Sequence, residues 1–202
     1  MEFMCPSCWE SYEKTDFFKE KENLITQYFS TENIEIVYGC TFLKFDKKET
    51  TQKILHNIKY FNHPELGVKF GRIAGLQLKK YGRFKDVNYI LPVPMHPDKQ
   101  KKRGYNQAEK IAEGLSKVLG IPINNDILHK NVNTESQTRM NKVQRLKNST
   151  GVYSAERVGD LSGHFLIVDD VFTTGATLEV CAKALHAAMP ECKISVFALA
   201  KA

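Results

Sequence analysis

Asp169 and Asp170 stand side by side within Phe165 to Thr177 (FLIVDDVFTTGAT), behind an apolar run and ahead of Thr173, Thr174, Gly175, Ala176 and Thr177. Two adjacent carboxylates offer enough acceptor oxygens to take both hydroxyls of a vicinal diol, such as a ribose edge. The small and hydroxyl residues that follow suit a phosphate. Gly175 and Ala176 let a ligand approach the backbone closely, and the threonines add hydroxyl donors. From Thr177 onward Leu178, Cys181, Ala182, Leu185 and Ala188 recur at helical spacing. The run therefore sits at a helix N-terminus, where backbone N–H groups are free and the helix dipole is positive. A solvated turn is the plain alternative for adjacent aspartates, but a turn does not call for the threonine and glycine run behind them.

These residues need a scaffold, and the flanking pattern supplies one. Phe165 to Val168 is a short apolar run of the kind buried on both faces of a parallel sheet, and open α/β sheets bind ligands at the carboxyl ends of such strands. Lys193 to Leu199 reads as the next strand of the same βαβ unit. Val87 to Val93 reads as another core strand, ended by Pro92 and Pro94, which have no ladder donors. Ile34 to Phe45 is rich in β-branched and aromatic residues and reads as one strand or as a hairpin broken near Gly39. Helical stripes run through Ile54, Leu55, Ile58 and Phe61, through Leu66, Phe70, Ile73 and Leu76, and through Tyr105, Ala108, Ile111, Ala112, Leu115 and Leu119. His63-Pro64 breaks the first two apart, and Gly120 ends the third. The class is α/β, a central mostly parallel sheet flanked by helices. Residues 1–33 read as a small N-terminal lobe and residues 34–202 as the main domain.

A second constellation follows the Val87 to Val93 strand. Pro94, Met95, His96 and Pro97 make a loop, and Lys99, Lys101, Lys102 and Arg103 follow it. Read plainly, this is a proline-rich turn with His96 exposed and a solvated basic face; read functionally, it is an anion site. Arg103 is singled out because it adjoins Gly104-Tyr105-Asn106-Gln107. Asn106 either caps the next helix or meets a ligand. Between Asn131 and Asn148 the chain is polar and basic, a loop or an exposed helix, and Arg139 and Arg145 there are candidates for a lid.

Composition narrows the rest. The chain has 202 residues, enough for one well-cored α/β domain with a small appendage. Charged residues make up 26% and hydrophobic residues 42%, as in ordinary soluble proteins, and no apolar stretch approaches the ~20 residues of a membrane span. The first residues lack the apolar core of a secretory signal. Five cysteines, an odd number, argue for reduced thiols and a cytoplasmic setting. A net charge of +6 favours anionic ligands, whether small phosphates or nucleic acid. Cys5 and Cys8 have the spacing of half a zinc site; the alternative is two reduced thiols. Cys40 is a distant third candidate, and Cys181 reads as a small core residue.

The stretch Phe165 to Thr177 resembles the 5-phosphoribosyl 1-pyrophosphate (PRPP) signature of type I phosphoribosyltransferases. Leu91 to Gln107 (LPVPMHPDKQKKRGYNQ) and Thr134 to Asn148 (TESQTRMNKVQRLKN) are similar to signatures of the ComF family, competence protein F-like proteins. The likeness runs from about Ile34 to the end. It implies a type I phosphoribosyltransferase fold, with Asp169 and Asp170 as catalytic residues that hold the ribose hydroxyls and Thr173 to Thr177 cradling the 5′-phosphate. Pro94, Met95, His96 and Arg103 would meet the pyrophosphate, with Arg139 and Arg145 closing over it. Mg2+ would arrive with PRPP. Many ComF proteins resemble one another in carrying two Cys-x-x-Cys pairs for Zn2+; only the Cys5–Cys8 pair is present here. The implied activity is transfer of a phosphoribosyl group to a nitrogen nucleophile with release of pyrophosphate. The alternative is a non-catalytic accessory protein of DNA uptake that binds single-stranded DNA and uses the ligand site for regulation.

Overall fold

The computed structural model describes residues 12–32, 34–45, 50–60, 63–131 and 151–202. Cys5, Cys8, Arg139 and Arg145 lie outside the described residues. In chain order the elements are α1 (Leu24–Thr31), β1 (Gly39–Lys44), α2 (Thr50–Tyr60), α3 (Pro64–Lys80), β2 (Tyr89–Pro92), α4 (Pro97–Arg103), α5 (Gln107–Leu119), β3 (Leu128–Lys130), β4 (Tyr153–Ala155), β5 (His164–Phe172), α6 (Ala176–Ala188) and β6 (Lys193–Lys201). Four of the strands form a wholly parallel sheet in the order β1-β6-β5-β2, and β3 pairs with β4 antiparallel.

The alternation of a strand explains how β5 is buried twice over. Phe165 and Ile167 pack with α1 and α6 on one face, through Ile25, Phe29, Leu178 and Leu185. Leu166 and Val168 pack on the other face with Ile58, Phe70 and Ile111 from α2, α3 and α5. β5 is longer than its apolar run. It continues through both aspartates to Phe172, because β6 still pairs with it there, Asp169 opposite Ala198 and Phe172 opposite Lys201. Its other neighbour stops sooner. Pro92 pairs with Val168, Val93 donates one further bond to the Val168 carbonyl at 2.8 Å, and Pro94 has no N–H to continue. On the β2 side, then, the end of β5 faces a cleft in place of a strand.

Three expectations shift in the structure. Ile34 to Phe45 holds a single strand over Gly39–Lys44, preceded by Val37, whose N–H reaches the Ile194 carbonyl at 2.8 Å. Leu76 is exposed, because the buried face of α3 turns instead on Gly67, Gly71 and Gly75 with Phe70, Ile73, Ala74 and Leu78. The basic segment after Pro97 forms the short helix α4, and the sequence pattern gives no sign of the pair β3 and β4.

The glycines of α3 serve close approach. α5 lies so near that a Cβ on Gly114 would meet Arg72 N at 2.6 Å and Gly71 C at 2.8 Å. Backbone thus touches backbone along this seam, which leaves no room for a side chain and seats α5 tightly behind the cleft.

Candidate functional site

Asp169 and Asp170 line a cleft of about 270 Å3 together with Pro94, Met95, Arg103, Thr177 and residues from four further elements. Their adjacent places on β5 send them to opposite faces of the sheet. Asp170 faces α2, where Lys59 Nζ lies 3.0 Å from its Oδ2. Asp169 lies on the side of Lys130 and Cys181, and one of its oxygens accepts the Asp170 N–H at 2.8 Å. Burial, then the Asp170 charge, push the Asp169 carboxyl up to about 7; the Asp170 N–H, Lys59 and Lys130 act against them. One carboxyl of the pair therefore titrates near neutrality.

The opposite wall comes from β3 and β4. Lys130 Nζ donates to Tyr153 Oη at 2.9 Å and lies 4.9 Å from the centre of the Tyr153 ring. Burial lowers the Lys130 ammonium pKa, and the neighbouring Lys99 charge lowers it further. Burial likewise pushes the Tyr153 phenol above its ordinary range, so it stays protonated. Next to the cleft, Lys59, Lys99, Lys101, Lys102 and Arg103 line a groove of about 700 Å3 with Tyr60 and Gly104. The Arg103 guanidinium sits 5.6 Å from the Tyr60 ring centre. Cations gather at the C-terminal turn of α4, where the helix dipole favours them.

The floor is fixed by Tyr105 and Asn106. Tyr105 Oη donates to the Ile58 carbonyl, tying α2 and hence Lys59 to the start of α5. Asn106 caps α5: its Oδ1 accepts the Ala108 N–H at 3.1 Å, and its Nδ2 donates to the Val93 carbonyl at 2.9 Å. Asn106 thus caps α5 and also lines the cleft. Gln107 beside it is buried in the cleft wall. His96 caps α4, its Nδ1 accepting the Asp98 N–H at 3.3 Å, and is not part of the wall.

Behind the aspartates, Thr173 to Gly175 turn the chain from β5 into α6. Gly175 takes the N-cap place at φ 81°, a left-handed backbone, and has no side chain with which to cap the helix. Thr174 Oγ1 reaches the Ala176 N–H at 3.5 Å, a long contact. The first turn of α6 is thus open to an external acceptor. Thr173, Thr174, Ala176 and Thr177 are exposed, and of these only Thr177 lines the cleft.

The structure therefore unites Asp169, Asp170, Pro94, Met95, Arg103 and Thr177. Sequence reasoning passes over Lys59, Lys130 and Tyr153, which no spacing signal separates from other lysines and tyrosines. Among the described residues no group of three or more His, Cys, Asp and Glu side chains is placed to hold a metal ion. Cys40 and Cys181 are buried free thiols, each pushed up by burial, in β1 and α6.

Similarity to known proteins bears on this geometry. The family described as Phosphoribosyl transferase domain matches residues 102–202. Competence protein F of Haemophilus influenzae is 33% identical over 132 residues, 64% of this chain and 57% of that protein. Competence protein ComFC of Bacillus subtilis is 28% identical over 117 residues, 57% of this chain and 46% of that protein. DNA utilization protein YhgH of Escherichia coli K12 is 24% identical over 135 residues, 65% of this chain and 59% of that protein. The chain thus spans about half the length of the curated relatives it matches. No helix among the described residues is long and apolar enough to cross a membrane.

Proposed function

This chain belongs to the ComF group of phosphoribosyl transferase domain proteins, and on that premise we propose that it binds PRPP as its magnesium complex and transfers the phosphoribosyl group to a nitrogen nucleophile. The observation that carries the reading is the union of two carboxylates, an uncapped helix N-terminus and a cationic groove around one cleft. Asp169 and Asp170 accept the ribose hydroxyls, the Thr173 to Thr177 turn takes the 5′-phosphate, and Lys59, Lys99 and Arg103 face the pyrophosphate. Pro94 and Met95 shape the wall on that side, and His96 sets the start of α4. Two carboxylates are too few to hold Mg2+ alone, so the ion fits as part of the substrate, its other ligands being pyrophosphate oxygens and water.

In the transfer, the bond from ribose C1 to the pyrophosphate oxygen breaks and pyrophosphate leaves with the electron pair. The nitrogen lone pair forms the new bond to C1, and the proton that nitrogen sheds passes to solvent. The protein supplies position and charge rather than a nucleophile. Pyrophosphate release in the presence of PRPP, Mg2+ and a panel of nucleobases and amines tests the reaction. A result confined to binding, with no acceptor accepted, would leave a PRPP-binding protein.

The pH dependence follows from Asp169. An ionised carboxylate accepts hydrogen bonds from ribose hydroxyls more strongly than its protonated form does, and this one titrates near 7. PRPP affinity, corrected for titration of the ligand's own phosphates, is expected to rise about tenfold between pH 6 and pH 8. Calorimetry across that range reads it directly, and a flat profile would remove Asp169 from the ribose site.

A second reading is favoured by the groove of Lys59, Lys99, Lys101, Lys102 and Arg103, together with relatives named for competence and DNA utilization. In it, the same surface binds single-stranded DNA. Log affinity should then fall with log salt by ~0.7 for each phosphate neutralised.

A further inference from the structure

We infer that Tyr28, from a helix outside the matched family region, is a positioning residue that clasps the phosphate turn and keeps it open for a 5′-phosphate. The inference rests on the PRPP reading of the site. α1 is locked by a capping box, Asn23 Oδ1 accepting the Thr26 N–H at 3.4 Å and Thr26 Oγ1 accepting the Asn23 N–H at 2.9 Å, with the Ile25 N–H also reaching Asn23 Oδ1 at 2.9 Å. Ile25 and Phe29 root the helix in the core shared with α6. Tyr28, on the same helix, reaches across to the turn. Its ring lies so close to Gly175 that a Cβ there would meet Tyr28 Cε1 at 2.5 Å and Cζ at 2.7 Å, with Phe172 Cζ at 2.9 Å. The Tyr28 and Phe172 rings meet edge to face, 5.6 Å apart, with Gly175 against both.

The hydroxyl does something different from the ring. Tyr28 Oη donates at 2.7 Å to Glu179 Oε2, and Lys183 Nζ meets the other Glu179 oxygen at 2.5 Å. Glu179 is the acid of the first turn of α6. An acid there is drawn to the free N–H groups and to the positive end of the dipole, the same partners that a phosphate needs. Burial pushes the Glu179 carboxyl up, but the hydrogen bonds from Lys183 and Tyr28 outweigh it and hold the group below its ordinary value. The carboxylate is thereby tied to the side of α6 that faces α1. Without the phenol it has one tether fewer and competes with the incoming phosphate.

The test compares Tyr28→Phe, which keeps the ring and removes the hydroxyl, with the unaltered chain, using two probes. PRPP with Mg2+ carries a 5′-phosphate, whereas pyrophosphate with Mg2+ does not. Calorimetry should show PRPP affinity weakened about tenfold and pyrophosphate affinity unchanged. Equal losses for both probes, or no loss for either, would overturn the clasp, since a general structural role has no reason to discriminate. Failure of the unaltered chain to bind PRPP would overturn the underlying site reading and the clasp with it, an outcome that no Tyr28 variant can mimic. Hydrogen exchange on the unaltered chain gives an independent check. Amides of Leu24–Thr31 should slow on saturation with PRPP and not with pyrophosphate, because coupling between ligand and clasp is reciprocal. Equal protection by the two probes would count against it.

Discussion

PRPP binding is expected to fall on the order of 1,000-fold when Asp169 and Asp170 are both replaced by asparagine, because each loses a charge-assisted bond to a ribose hydroxyl. Asparagine keeps the size of the side chain and a carbonyl acceptor, so the loss isolates charge. Stability should move the other way for Asp169 alone. Its folded carboxyl is raised to about 7 by burial and by Asp170, so the folded chain holds this proton more tightly than the unfolded chain does. The resulting stability is fully present below about pH 4 and is lost as the pH rises through the folded value. An asparagine side chain has no such proton to lose. The unfolding free energy of Asp169→Asn should therefore exceed that of the unaltered chain by a margin that widens from pH 5 to pH 8, reaching roughly 1 to 3 kcal/mol. Asp170→Asn differs, because it leaves Lys59 without its 3.0 Å partner. A site that gains stability on losing its function would be one that holds charge at some expense to the fold. A margin independent of pH would show that burial of Asp169 is not what raises it.

Gly114→Ala is expected to destabilise the fold by roughly 3 kcal/mol or more, the range of overpacking against atoms that cannot move aside. A methyl at this position would fall on the Val68 carbonyl, on Arg72 N and on Gly71 C, all of them backbone. No rotamer change relieves that, so α3 and α5 must separate. Denaturant unfolding measures the cost. The contrast is Gly151→Ala, whose added Cβ would meet nothing within 4 Å. Equal stability of Gly114→Ala and the unaltered chain would mean that the seam is looser than these contacts imply.

Much of the sheet is legible in the sequence because burial on two faces leaves an unbroken apolar run, as in Phe165 to Val168, and because proline marks where ladder bonding stops, as at Pro92 and Pro94. The reach of β5 beyond that run is not legible. Asp169 and Asp170 look like residues past a strand end, and only the partner β6 shows that the strand carries on. The same limit hides the other side of the site. Lys59, Lys130 and Tyr153 are chosen by tertiary approach, from a helix and from a small antiparallel pair whose three-residue strands are too short to show a period. The buried face of α3 departs from its pattern for a related reason. Hydrophobic periodicity weights Leu76, while the helix packs through glycines that carry no apolar side chain to count.

The fastenings made by Tyr105 and Asn106 bear on what a motif search retrieves. In Arg103-Gly104-Tyr105-Asn106-Gln107, Tyr105 joins α2 to α5, and Asn106 joins Val93, just past β2, to α5. The string that makes this chain easiest to recognise is therefore largely carpentry. A protein that kept its joints while changing the carboxylates or the cations would still be retrieved by it, with the frame of the site intact and the chemistry gone. Matches to this string classify the frame, and catalytic kinship has to be read from what each frame is holding.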